Sequence, residues 1–149
     1  MKGTTHIAAG VLTALAAYKI GLSHQPFELI TGAFIASTLP DIDQKVKMLG
    51  HRRMTHGIIW PLLLYIASVY FKKEIILGTV IGWLSHIVID SFNSKGCELF
   101  WPLSKKNFPI MKIKYDGVIE NVLLVLMCIG IIGLIVSNFV DVRLIAGIK

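Results

Sequence analysis

Residues 122–140, VLLVLMCIGIIGLIVSNFV, run nineteen positions without a charged side chain. A helix of that length rises about 28 Å, close to the roughly 30 Å hydrocarbon core of a bilayer. One such run could be a buried core helix, so composition decides the matter. Counting Gly and leaving out Tyr, about 60% of the 149 residues are apolar, against roughly 45–50% in a soluble domain. Charged residues are 16% and the mean hydropathy is +0.69. A soluble globule this small leaves too much of its surface exposed to hide that much apolar area. The chain reads as an integral membrane protein: one domain over residues 1–149, all-α, since helices satisfy their own backbone polar groups in lipid.

Four further apolar stretches complete a multi-pass bundle of about five helices: Ile7–Ala17, Phe27–Leu39, Gly57–Phe71 and Ile75–Phe92. The first two are short enough that a shallow or re-entrant hairpin competes with full crossing. Pro26 suits the first turn of the second helix and Pro40 its end, while Pro61 is expected to kink the third. Lys and Arg number 15 against 9 acids. In a soluble protein that excess would suggest nucleic acid, but no basic helix or RNA-type aromatic motif accompanies it, and no nucleic-acid partner is expected. In a membrane protein it reads as orientation. With the N-terminus cytoplasmic, ten basic residues fall inside and five outside, a bias that favours an N-in, C-out plasma-membrane protein. The rival reading is a cleavable signal ending near Ala14-Leu15-Ala16, which would remove His6. Cys97 and Cys128 stand 31 positions apart without a CxxC partner, so no disulfide framework is encoded.

The polar residues within or beside these stretches are informative. His6 opens the first helix, Asp41 and Asp43 close the second, and His51 and His56 precede and open the third. His86 and Asp90 lie in the last turns of the fourth. In the topology above all of them share the cytoplasmic side, and ionisable groups at membrane depth are costly enough that function is their default reading. His86 and Asp90, at i and i+4, stack on one helix face, with Trp83 and Asn93 nearly in line. Two carboxylates as close as Asp41 and Asp43 repel unless a cation lies nearby. Mixed imidazole and carboxylate donors suit Zn²⁺ or, with more oxygen, Mn²⁺. Arg52 and Arg53 serve either as positive-inside anchors or as a clamp on phosphate. Thr55 is expected to cap the third helix. Gly78 and Gly82 form a small-xxx-small pair, and Gly10 lies a turn from His6.

Taken together, His6, Leu39-Pro40-Asp41-Ile42-Asp43, His51-Arg52-Arg53-x-Thr55-His56, His86-x-x-x-Asp90-x-x-Asn93 and Phe100-Trp101-Pro102 resemble the membrane-bound metal-dependent hydrolases. This is a bacterial inner-membrane family in which some members are LexA-regulated. The family pattern has Ser where this chain has Gly57. The His-x-x-x-Asp helix is also similar, over one short motif, to the zinc-dependent phospholipases C. The resemblance implies a multi-pass helical protein with a hydrolytic metal site.

The expected ligands are His6, Asp41, His56, His86 and Asp90, with Asp43 and His51 next. That many donors exceeds one tetrahedral site and allows a dinuclear centre. Asp43 is the expected acceptor of the attacking water's proton, and Arg52 and Arg53 would hold the anionic substrate. The expected partners are membrane lipids and a phosphorylated substrate, either a small molecule or a lipid. Two other classes stand beside the hydrolase: a non-catalytic protein whose cluster is a structural metal site or hydrogen-bond network, and a transporter. The transporter needs polar residues on the outer half of the bundle, where the third to fifth helices carry almost none.

Overall fold

A computed structural model of the protein describes residues 2–44, 54–93, 96–110 and 117–145, with backbone only for 43–44 and 139–145. Five helices make it up: α1 (Gly3–Lys19), α2 (Pro26–Ala36), α3 (Ile59–Phe71), α4 (Glu74–Ser91) and α5 (Gly117–Ile145). A turn of 3-10 helix, Leu39–Gln44, follows α2. Among the described residues there is no strand, and Cys97 and Phe108 form an isolated bridge. The fold is the all-helical bundle that the hydropathy implies.

α4 and the Gly117–Asn138 part of α5 are long and apolar enough to cross a bilayer. α2, with 11 residues, rises only about 16 Å and is too short to cross alone. On α5, Val122, Leu126, Ile129, Ile132 and Val136 are all exposed. In water such a face would associate, whereas in hydrocarbon it is already solvated.

Two boundaries beside the site differ from those read in the sequence. Helix α2 ends at Ala36, short of Leu39. The Ser37 hydroxyl donates to the Phe34 carbonyl at 2.8 Å and that of Thr38 to Ile35 at 3.3 Å. These side chains take up last-turn carbonyls, and Pro40 disfavours a helical residue before it. Asp41 and Asp43 therefore ride on the 3-10 turn rather than on α2. Helix α3 starts at Ile59, which places Pro61 in its first turn. Proline has no N–H to give and the first turn asks for none, so Pro61 sets where the helix begins instead of kinking it. His56 consequently lies in a turn before α3, and Ile58, not Thr55, is the N-cap residue.

Lipid is as apolar as leucine, so helices associate here by close packing rather than by escape from water. α2 and α4 do this most closely. A Cβ on Gly78 would meet the Leu29 carbonyl oxygen at 2.1 Å, and one on Gly82 the Ala33 oxygen at 2.3 Å. The pairs 29/78 and 33/82 advance together by one turn, so the two helices run parallel with their backbones in contact. Gly10 lets α1 approach in the same way, since its Cβ would stand 2.8 Å from that of Ser37. α5 is tied to the start of α1 through buried Glu120, whose Oε1 accepts from the Lys2 backbone N–H and, at 3.2 Å, from the Thr5 hydroxyl.

Candidate metal centre

The α2/α4 ladder has a third rung. One turn beyond Gly82 and Ala33, His86 faces Ser37, and its Nδ1 lies 2.6 Å from the Ser37 carbonyl oxygen. A carbonyl only accepts, so Nδ1 carries the proton and Nε2 keeps its lone pair. His86 sits five residues before the end of α4, about 7.5 Å below it.

His56 reaches the same tautomer by a different route. The Thr55 hydroxyl has one proton, which it donates to the Pro40 carbonyl at 2.7 Å. Towards His56 Nδ1, at 3.2 Å, it can then only accept. Nδ1 of His56 is again the protonated atom and Nε2 the bare one. The turn holding His56 is pinned from two sides: Trp60 Nε1 donates to the Met54 carbonyl at 2.7 Å and Trp83 Nε1 to that of Thr55 at 2.9 Å.

The two bare nitrogens face each other, His56 Nε2 to His86 Nε2, across 3.2 Å. Carboxylates flank them. Asp90 Oδ2 is 3.4 Å from His56 Nε2 and 3.7 Å from His86 Nε2, and Asp41 Oδ1 is 3.6 Å from His86 Nε2. His56, His86 and Asp90 are wholly buried, while the Asp41 side chain is 22% exposed. Lone pairs opposed in a buried site repel, and carboxylates close by add negative charge. A cation among the four donors would offset both.

The donor spacing fits such an ion. All four ligand atoms lie within 4.8 Å of one another. Metal bonds of about 2.0–2.1 Å in a tetrahedron place neighbouring donors roughly 3.4 Å apart, and four of the six separations here are 3.2, 3.4, 3.6 and 3.7 Å. Both imidazoles also carry the outer hydrogen bond that commonly orients metal-ligating histidines.

His6 comes to the same place in another manner. Its ring stacks on His86 with centroids 3.9 Å apart and 19° between planes. It is wholly buried, and neither ring nitrogen makes a hydrogen bond among the described residues. Its Nε2 stands 3.4 Å from Asp90 Oδ1, so the two oxygens of Asp90 divide between His6 and the four-donor group. The backbone of Asp43 lies on the turn with Asp41, and its side chain is outside the described residues, as are His51, Arg52 and Arg53. Sequence reasoning does not find the Ser37 carbonyl, the bridging role of the Thr55 hydroxyl or the two tryptophan hydrogen bonds. The signals available for them are slight: Thr55 adjoins one ligand and Trp83 lies a turn from another.

A helical bundle with two helices long and apolar enough to cross a membrane and a buried imidazole–carboxylate cluster is the class of protein these observations define. The chain belongs to the YdjM inner membrane protein family, whose model matches residues 1–146. It is 29% identical to the uncharacterized protein YvsG of Bacillus subtilis (strain 168) over 120 residues, covering 68% of this chain and 74% of that one. It is also 29% identical to inner membrane protein YdjM of Escherichia coli (strain K12) over 99 residues, covering 51% of this chain. The chain spans about half the length of that relative. No solved structure matches.

Proposed function

We propose that the protein is a metal-dependent hydrolase of the bacterial inner membrane, acting on a phosphoester at the cytoplasmic face. The observation that carries this is the pair of Nε2 lone pairs 3.2 Å apart, each fixed by an outer hydrogen bond and flanked by carboxylates. His56, His86, Asp90 and Asp41 would hold the ion, with Zn²⁺ the best match to the donor set and Mn²⁺ next. When bound, the ion supplies Lewis acidity for hydrolysis of a phosphoester. Asp43, two residues past Asp41 on the same turn, accepts the proton of the attacking water. Arg52 and Arg53 hold the anionic group, a role their bidentate geometry suits. Their proximity to His56 and Asp41 in sequence supports both assignments.

A lipid is the preferred substrate. The cage lies about 7.5 Å below the end of α4, the depth of a headgroup junction rather than of bulk cytoplasm. A groove of about 220 Å³ between α3 and α4, lined by Ile58, Pro61, Leu62, Tyr65, Val80 and Leu84, begins two residues after His56 and suits an acyl chain. The basic-residue bias supports a cytoplasmic N-terminus, and the parallel run of α2 and α4 agrees with alternating passes in a multi-pass chain.

One observation favours a second reading. Four protein donors close a tetrahedral ion, whereas catalytic zinc keeps a position open. A structural metal would leave the protein without turnover. The deciding experiment measures metal content and hydrolysis on one detergent-purified sample. The hydrolase reading expects about one ion per chain in wild type, none in His86→Ala, and release of phosphate or headgroup from labelled phospholipids. An ion retained without turnover on lipid or soluble phosphoesters would establish the structural reading. No ion in wild type would sink both.

A further inference from the structure

We infer that Thr55 is the positioning residue of the centre, its one hydroxyl setting the tautomer of His56 and latching together the two turns that bring His56 and Asp41 to the ion. The inference rests on the metal-site reading for its purpose, though its geometry stands without an ion.

The hydroxyl touches both turns. Its proton goes to the carbonyl of Pro40, one residue before Asp41, at 2.7 Å. Its oxygen lone pair takes Nδ1–H of His56 at 3.2 Å. One oxygen atom therefore bridges two chain segments separated by fifteen positions, each delivering a donor. The backbone of the same residue ties the pair to a third segment, since the Thr55 carbonyl accepts Trp83 Nε1 at 2.9 Å, from α4 one turn before His86. Thr55 is thus in contact with all three ligand-bearing segments.

The hydroxyl is needed rather than merely tolerated. Neither turn belongs to an α-helix, so no ladder of α-helical hydrogen bonds holds Asp41 and His56 in register. Without the hydroxyl, His56 loses its acceptor at Nδ1, and the proton can pass to Nε2. That tautomer points an N–H at His86 Nε2 and withdraws a donor from the cage. Valine fills the same volume with no acceptor, while serine keeps the hydroxyl, so the two substitutions separate chemistry from packing.

The test uses the full chain in detergent micelles and has two readouts. The first is the ¹⁵N shift pattern of the His56 ring in metal-free protein, which reports the tautomer directly. Wild type and Thr55→Ser are expected to show Nδ1–H, and Thr55→Val a population of Nε2–H. The second is Zn²⁺ affinity against a competing chelator. Thr55→Val is expected to bind about 10–100-fold more weakly, the usual loss for an outer-shell partner, and Thr55→Ser within a few-fold of wild type. An Nε2–H tautomer in wild type overturns the inference, as does unchanged Zn²⁺ affinity in Thr55→Val. If Thr55→Val does not fold, the wild-type tautomer and the Thr55→Ser affinity settle the question between them. A wild type that binds no Zn²⁺ but shows Nδ1–H on His56 removes the metal reading and leaves the tautomer assignment of Thr55 intact. The two failures are therefore distinct.

Discussion

His86 meets the Ser37 carbonyl at the same sequence offset by which Gly82 meets Ala33 and Gly78 meets Leu29. His86 is the last rung of a helix-packing ladder, so the geometry of the candidate site follows from how closely α2 and α4 approach. The early end of α2 completes the arrangement. The chain leaves the α-helix at Ser37, and Asp41 N–H bonds to the Thr38 carbonyl where a continuing helix would have used that of Ser37. Residues remote from the cage therefore control it, and this makes the packing testable through the metal.

Gly82→Ala should damage both stability and the site. Its Cβ would lie 2.3 Å from the Ala33 carbonyl oxygen, and backbone cannot move aside as a flexible side chain can. Overpacking of this kind costs about 1–3 kcal/mol. The separation of α2 from α4 also draws Ser37 away from His86, so Zn²⁺ affinity should drop with stability. Gly133→Ala is the control: nothing lies within 4 Å of its added Cβ, and alanine is the better helix former by about 1 kcal/mol. Unfolding curves in a fixed detergent compare the two, and equal behaviour would show that the ladder does not bear on the fold.

The parts legible in the sequence are those set by local pattern. The i, i+4 pair of His86 and Asp90 needs only a helix, Pro26 marks a first turn wherever it stands, and the charge-free run of α5 together with the apolar composition points to a bilayer-length helix. What escapes is set by choices among local hydrogen bonds or by tertiary partners. Whether a helix reaches Leu39 or stops at Ala36 depends on two hydroxyls turning back onto carbonyls, an option open to any Ser or Thr. Thr55 before a helix looks like a cap, and only the approach of Pro40 gives it other work. His6 is readable as a residue of the site, but its stacking on His86 requires the α1 approach that Gly10 permits.

Withdrawal of the ion should destabilise the fold. A ligand at a hundred times its Kd stabilises the native state by about 2.7 kcal/mol, and an ion held by the four donors would join α4 to two turns with little secondary structure of their own. Adding a chelator should lower the unfolding midpoint of wild type and leave that of His86→Ala where it was. A wild-type midpoint indifferent to both chelator and Zn²⁺ would count against any bound cation.

Glu120 gives α5 its attachment. Its buried Oε1 accepts from the Lys2 N–H and the Thr5 hydroxyl, and a carboxylate at a helix N-terminus is favoured by the exposed amides. Glu120→Ala abandons two donors at a cost of about 1–3 kcal/mol, while Glu120→Gln keeps an acceptor and should lose less. Thermal unfolding of the three proteins ranks them, and an alanine variant as stable as wild type would mean α5 is held by apolar packing alone.

Sidedness can be read from two exposed positions in a Cys128→Ser background, where Cys97 is buried. Lys72 lies between α3 and α4, and Leu103 in the loop after α4 is 93% exposed. In the proposed orientation Lys72→Cys reacts with an impermeant thiol reagent in cells whose inner membrane is intact but reachable. Leu103→Cys reacts only after that membrane is opened. The reverse pattern would place the cage on the outer face.

Asp41 and Asp90 should not be equivalent, and the difference bears on catalysis. Asp90 is wholly buried and lies close to both ligand histidines, whereas Asp41 is partly exposed and approaches the cage from the side of His86. Water can take the place of an Asp41 oxygen far more easily than it can enter beside Asp90. Asp41→Ala should therefore weaken Zn²⁺ binding and still retain an ion at high Zn²⁺, while Asp90→Ala should bind none. Chelator competition on the two variants decides between graded and equal losses. Equal losses would mean that Asp41 is as rigid a ligand as Asp90, which is the behaviour of a closed structural site; a graded loss marks Asp41 as the side of the cage through which substrate arrives.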